Sequence, residues 1–360
     1  MLHPTPRRRL GVVILLAVAL ATVTACAGGS SGAGGSSASD GKTLVVATHD
    51  SWAMSKEVMA AFTAKTGITV KIQPQGDAGQ LTNKLVLTKD DPLADGVYGI
   101  DNSFASRAVD AGVLTSYAAP GLPASAAKYR LAGSAADLTT PIDSSDVCVN
   151  VDDTWFAKKG IPAPKTLDDL TKPAYEDLFV TPGATTSSPG LAFLAATIAA
   201  KGEDGWQAYW KQLMANGTKI DAGWTDAYEV DFTAGGGKGS RPIVTSYSSS
   251  PPFTIPEGGS KPTTSALLDT CYRQVEYAGV LKGGANPAGM KKFIDFMLGQ
   301  DFQEALPDNM YVYPVDTSVA LPASWAAYAP TSPKPFSLPA ATVAADLSGW
   351  LRDWRDVTSQ

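Results

Sequence analysis

Apolar and polar positions along this chain switch between a period near two and a period near 3.6, and the switches predict a strand–helix repeat. Thr43 to Thr48 is a short run of β-branched and apolar residues, as in a buried strand. Met54, Val58 and Phe62 then recur at helical spacing up to Gly67, a residue suited to closing a helix in the left-handed conformation. Thr69 to Ile72 predicts a strand, Gln80 to Leu87 a helix, and Val97 to Ile100 a third strand that ends at Asp101. A second stretch begins near Ser145. It holds a strand over Leu178 to Val180, helices over Leu191 to Ala200 and Trp206 to Met214, and a strand over Ile243 to Ser246. After Ser265 the pattern returns to that of the first stretch. Pro287 opens a helix whose Met290, Phe293, Ile294 and Met297 share one face, and an amphipathic helix covers Ala341 to Trp354.

Strands alternating with helices predict a largely parallel α/β sheet. Such sheets take ligands where loops leave the carboxyl ends of their strands. Asp50, Ser51 and Trp52 follow the first strand and Asp101 follows the third, so both groups fall at one edge. The order predicts two lobes with a ligand cleft between them, joined by crossings near residues 143–150 and 266–276. Lobe 1 takes residues 43–142 and 276–340, lobe 2 takes 143–275, and 341–360 form a C-terminal helix packed on the body.

The N-terminus sets the compartment. Arg7, Arg8 and Arg9 precede an apolar run from Leu10 to Leu20, then small residues and Cys26 in Val23-Thr24-Ala25-Cys26. This describes a signal peptide over residues 1–25, its core shorter than the roughly 20 residues that span a bilayer. The string resembles a bacterial lipobox, which makes Cys26 the lipidated first residue of the mature chain; a plain cleaved signal followed by a chance Cys is the alternative. Ala27 to Ser39 holds only Ala, Gly and Ser, so residues 26–42 read as a flexible tether. The expected location is the outer face of the cytoplasmic membrane.

Charge and composition narrow the partners. The chain carries −6 overall, and its first 25 residues hold three Arg and no acid, so the remainder stands at −9. An acidic body without a basic block excludes nucleic acid and an anionic lipid surface as partners. Cys148 and Cys271 remain once Cys26 is set aside, and an oxidising compartment favours a disulfide between them; two separate buried thiols are the alternative. The only histidines are His3, within the signal, and His49. That removes most routes to a zinc site or a histidine-based triad, so no catalytic residue, metal or cofactor is expected. Gly235 to Ser240 looks superficially like a phosphate loop. Lys238 is followed by Gly239, however, and Pro242 then opens a strand, so the helix start that such a loop needs is missing.

Five segments carry a family resemblance. They are Gly99-Ile100-Asp101-Asn102, Thr186-Ser187-Ser188-Pro189-Gly190-Leu191, Gly223-Trp224-Thr225-Asp226-Ala227-Tyr228, Ser246-Tyr247-Ser248-Ser249-Ser250-Pro251, and Ala305-Leu306-Pro307 followed by Tyr313-Pro314-Val315. In this order they resemble the periplasmic thiamine-binding proteins of ABC importers, within the type II solute-binding superfamily, over about Thr43 to Trp354. The resemblance implies a monomeric receptor whose two lobes close on thiamine or its phosphate esters, as transported ligand, and pass it to a membrane permease. It implies aromatic walls from Trp224, Tyr247 and Tyr311, a turn at Ser187, Ser188 and Gly190 that meets a hydroxyl or phosphate, and polar contacts from Asp50, Ser51 and Asp101. The family commonly has Trp at the position of Tyr311 and Phe at that of Trp52.

These residue types suit such a ligand. Thiamine joins a flat aminopyrimidine to a permanent cation, which aromatic faces attract by roughly 0.5–2 kcal/mol per contact, and a carboxylate adds attraction in a dry cleft. Each residue also has a plainer reading. A buried Trp or Tyr is commonly core, Tyr228 shares the helical face of Trp224, Asp101 can cap the helix that follows it, and Asp226 reads as a solvated acid. Receptors for ferric ion, polyamines or aminophosphonates remain alternatives, as does a secreted hydrolase, although the ferric reading lacks its Tyr-Tyr pair.

Overall fold

A computed structural model describes residues 41–359; the signal, Cys26 and the tether up to residue 40 lie outside the described residues. The described chain opens with β1 (Thr43–Thr48), α1 (Lys56–Thr66), β2 (Thr69–Pro74), α2 (Ala78–Leu87), β3 (Gly96–Asp101), α3 (Ala105–Asp110) and β4 (Leu114–Thr115). The ends of α1 follow from local chemistry. Ser55 caps its start by accepting from the Val58 N–H at 3.3 Å, and Gly67 ends it at φ +72°. The middle of the chain supplies β5 (Thr140–Asp152), α4 (Asp153–Lys159), β6 (Phe179–Pro182), α5 (Ser188–Lys201), α6 (Trp206–Ala215), β7 (Lys219–Asp221) and β8 (Ile243–Tyr247). A π-helical turn over Asp226–Asp231 separates β7 from β8. The remainder is β9 (Thr264–Leu281), α7 (Pro287–Met297), α8 (Gln300–Met310), β10 (Tyr313–Pro314), α9 (Ala323–Tyr328) and α10 (Ala340–Thr358).

The strands form one mixed sheet in the order β2-β1-β3-β9-β5-β8-β6-β7, with β10 on β5 and β4 on β9. The expected parallel pairing holds in the two wings, β2-β1-β3 and β8-β6-β7. The centre differs. There β3, β9, β5 and β8 pair antiparallel, because β5 and β9 are long strands that run back across the sheet and not single members of a strand–helix–strand unit.

Two main bodies of apolar packing flank this centre. One joins α1, α7 and α8 to β1 and β9 through Leu44, Phe62, Ala278, Phe293, Phe302 and Leu306. Another joins α5, α6 and α10 through Phe193, Leu194, Trp206, Trp210, Trp350 and Trp354. α5 is apolar nearly all round and correspondingly buried, as a helix enclosed on every side must be. β5 contributes Ile142 to the first core and Val149 and Val151 to the second.

The Cys148–Cys271 disulfide is present. It bridges β5 and β9 where their register slips: Val147 faces Tyr272 while Val149 faces Leu267, so several β9 residues oppose Cys148 alone. Both sulfurs are buried in the sheet centre. Among the described residues no helix is long and apolar enough to cross a membrane.

Candidate ligand-binding site

Loops from both halves of the sheet enclose a cleft of about 230 Å³. That is somewhat below the roughly 300–1,000 Å³ of drug-sized pockets, which points to a small ligand. His49, Asp50, Ser51 and Trp52 follow β1 and form one wall, and Asp77 enters from the start of α2. Ser188 at the head of α5, Trp224 and Thr225 before the π turn, Glu229 within it and Tyr247 at the end of β8 form the opposite wall. Glu276 of β9 lies between them, and residues 309–312, at and just beyond the end of α8, complete the lining.

The aromatic wall is rigidly supported. Trp224 is 7 % exposed, donates from Nε1 to the Ser246 hydroxyl at 2.9 Å, and stacks on Tyr228 at 4.9 Å with the planes 12° apart. Tyr247 meets Trp224 at 6.0 Å. Tyr311 stacks on Phe253, and its carbonyl accepts from the Ser249 hydroxyl. Its φ of +61° is the left-handed region, a strained choice for a β-carbon-bearing aromatic and one often found at ligand sites. Trp52 packs edge-on against Tyr98 at 4.9 Å.

Asp77 ties the walls together. Its carboxylate accepts from the backbone N–H of Ala78 at 2.7 Å, Ser188 at 3.4 Å and Trp224 at 3.0 Å. Burial pushes the Asp77 carboxyl above the usual range, against the stabilising Ser187 hydroxyl and these backbone donors. Gly79 lets α2 approach the turn before α5, since a Cβ there would lie 2.8 Å from the Thr186 carbonyl carbon. Ser51 and Thr225 face each other across the cleft with hydroxyls 3.4 Å apart.

The floor is ionic. His49 Nε2 stands 3.4 Å from Glu276 Oε1. Tyr98 donates to Asp143 Oδ2 at 2.6 Å and to Glu276 Oε2 at 3.3 Å. Asp143 and Glu276 sit opposite each other on β5 and β9. Burial and the charge of Glu276 push Asp143 well above the usual carboxyl range. Burial also acts on Glu276, but His49 together with Asp143 and Tyr98 holds it below the usual value. The proton of this acid pair therefore resides on Asp143 and the negative charge on Glu276.

Of the residues expected from sequence, Asp50, Ser51, Trp52, Ser188, Trp224, Tyr247 and Tyr311 come together in this lining, while Asp101, Ser187 and Gly190 stand behind it. Asp101 caps the turn into α3, accepting from the N–H of Ser103 at 3.0 Å and of Phe104 at 2.9 Å. Ser187 is fully buried at the cap of α5. Gly190 is a packing glycine, since a Cβ there would sit 2.5 Å from the Pro182 carbonyl oxygen. His49, Asp77, Glu229, Glu276, Asn309 and Met310 were missed. Asp77 follows β2 at the same sheet edge as Asp50, and Glu276 is an acid within the apolar run Val275 to Val280; both signals were legible.

Burial lifts the Asp101 carboxyl to about 7, against its Ser188 and backbone donors. Between about pH 4 and pH 7 the folded state then holds a proton that the unfolded state has lost, so this group makes stability fall as pH rises. Asp101→Asn keeps an oxygen for the two N–H donors and removes that linkage. Relative to the wild type it should gain stability from pH 4 to pH 7, by at most about 4 kcal/mol. Denaturant melts of both proteins across that range check this; parallel pH profiles would refute it.

The comparisons with known proteins agree with this architecture. Residues 91–248 match the model of a family described as bacterial extracellular solute-binding protein. The chain is 28 % identical over 329 residues to a thiamine-binding periplasmic protein of Brucella suis, covering 88 % of this chain and 92 % of that one. A thiamine-binding periplasmic protein of Salmonella typhimurium is 28 % identical over 323 residues, covering 88 % and 94 %. A solved periplasmic thiamin-binding protein superposes with a TM-score of 0.76 at 26 % identity, over 88 % of this chain and 96 % of that one. This chain has the two-lobed fold of the periplasmic binding proteins. The relatives that it resembles are periplasmic binding proteins of mixed α/β fold. The chain presents its cleft at the carboxyl ends of β1 and β2, where an open α/β sheet holds its ligands.

Proposed function

We propose that this solute-binding protein captures thiamine or its phosphate esters, delivers them to the permease of an ABC importer, and works as a monomer from a lipid anchor at Cys26. The observation that carries the ligand reading is the charge of the cleft. Asp50, Asp77, Glu229 and Glu276 line it, and no Lys or Arg does. An acidic cleft attracts a cation, and the faces of Trp52, Trp224, Tyr247 and Tyr311 suit a flat one. A polyamine shares the charge but makes less use of four rings. The thiamine-binding relatives favour thiamine over other cations.

Tryptophan fluorescence titration with thiamine, thiamine phosphate and spermidine tests this reading. Saturable quenching by thiamine at micromolar concentration or below is the expected result; a response to spermidine alone transfers the site to polyamines. Trp224→Ala removes a ring and leaves the Ser246 hydroxyl without its donor, and should weaken thiamine binding tenfold or more, about 1.4 kcal/mol. An unchanged dissociation constant removes Trp224 from the site.

A further inference from the structure

The cleft floor holds a group that ligand capture by rings and carboxylates does not require. His49 follows β1, is 7 % exposed, and turns its ring toward Glu276. Neither ring nitrogen has a hydrogen-bond partner in the structure, so the Glu276 contact is an ion pair and not a closed hydrogen bond. The niche is built for this ring. Gly99 lies at φ +92° in a β3 irregularity, and a Cβ there would collide with Cδ2 of His49. The Tyr98 ring covers it at 5.6 Å.

The other charged side chains that line the cleft with His49 are acids. Glu276 faces it from β9, Asp77 from the head of α2, and Asp50 is next in the chain. Tyr98 approaches from β3 and relays to Asp143 on β5. Among the residues lining the cleft, His49 is the one that can carry a positive charge near neutrality. Burial opposes that charge, but Glu276, Asp77 and Asp50 outweigh it and raise the pKa of His49 above 6.5. In the empty cleft the imidazolium thus acts as the internal counter-ion of Glu276.

A cationic ligand competes for the same place, because two positive charges beside the buried Glu276 carboxylate repel each other. We propose that His49 is a proton-exchange and specificity-determining residue, in which a cationic ligand replaces the His49 proton as partner of Glu276, so that binding releases one proton and weakens on acidification. The proposal rests on the cationic-ligand reading above. The proton leaves from the imidazolium nitrogen to solvent, and the neutral ring remains as a polar edge beside the guest.

Isothermal titration calorimetry of the full chain with thiamine, in buffers of different ionisation enthalpy, counts the released proton directly. The wild type should release about half a proton per thiamine at the His49 midpoint and approach one proton below it. Its affinity should fall about tenfold for each pH unit below that midpoint. His49→Gln should abolish the release and flatten the profile. Thiamine binding without proton release overturns the proposal, and so does a release that persists in His49→Gln. Proton NMR of the ligand-free chain gives a separate arm, with the His49→Gln spectrum separating His49 from His3. Glu276→Gln should lower the His49 midpoint; an unmoved midpoint overturns the ion pair whatever thiamine does. Failure of thiamine to bind at any pH overturns the ligand reading itself, and this proposal with it.

Discussion

Replacing Cys148 and Cys271 together with alanine is expected to lower the stability of the folded body by about 4–5 kcal/mol, a melting-temperature drop on the order of 10 °C. The two cysteines are 123 residues apart, so their bond closes a long loop in the unfolded chain, where the chain-entropy argument gives its largest values. The native state adds a local reason. The bond crosses a register slip between β5 and β9, where ordinary ladder hydrogen bonds are interrupted. Cys148 also pairs with Ser246 of β8, whose hydroxyl accepts from Trp224, and Tyr247 is the next residue. Loosening the centre should therefore weaken ligand binding as well as the fold. Alanine avoids leaving an unpaired thiol or a new buried hydroxyl. Calorimetric melting of the double variant checks the prediction, with dithiothreitol-treated wild type as a second sample. A melting temperature within about 2 °C of the oxidised wild type would sink it.

How far the chain could be read before its structure depended on the range of the interactions involved. β1, α1 and the α7 stripe of Met290, Phe293, Ile294 and Met297 were legible, because local periodicity and caps specify them. The antiparallel centre was not. β5 and β9 pair over residues more than a hundred positions apart, and nothing in either strand alone announces its partner. The cysteines gave the one long-range clue, since an oxidising compartment made their pairing a chemical expectation.

The site divides the same way. Ring residues in recognisable segments, such as Trp224 and Tyr247, could be placed by resemblance. Asp50 was placed by the sheet-edge argument, whereas Asp77 and Glu276 carried a legible signal of position but not of partner, because a single Asp or Glu has the same appearance on the surface and in a buried cluster. Asp101 illustrates the ambiguity: it sits at the sheet edge expected of a ligand contact, yet its oxygen is engaged with the backbone of the following turn. His49 was set aside as a poor catalyst, and its pairing with Glu276 became visible only when β9 was seen to lie beside β3.

That arrangement makes Glu276 the residue whose change should affect binding most. Glu276→Gln keeps the shape and a carbonyl oxygen for Tyr98 but removes the charge at the cleft floor. Thiamine affinity should fall on the order of a hundredfold, about 2.7 kcal/mol, within the range for losing one partner of a desolvated charge pair. The fold should tolerate the change. Asp143, directly opposite, already carries its proton because of its burial and the charge of Glu276, and an amide in place of a second carboxylate relieves that like-charge opposition. His49 loses its counter-ion in the same step, and burial then favours its neutral form, so no uncompensated buried charge is left behind. Binding and melting should therefore separate, with a large rise in the dissociation constant beside a small shift in melting temperature. If Glu276 serves the fold alone, the two move the other way: the variant melts early and binds thiamine as tightly as the wild type. Calorimetric titration and thermal denaturation of one preparation distinguish these outcomes. Asp50→Asn is the natural companion, since it removes a cleft carboxylate outside the ion pair and should weaken binding less than Glu276→Gln does.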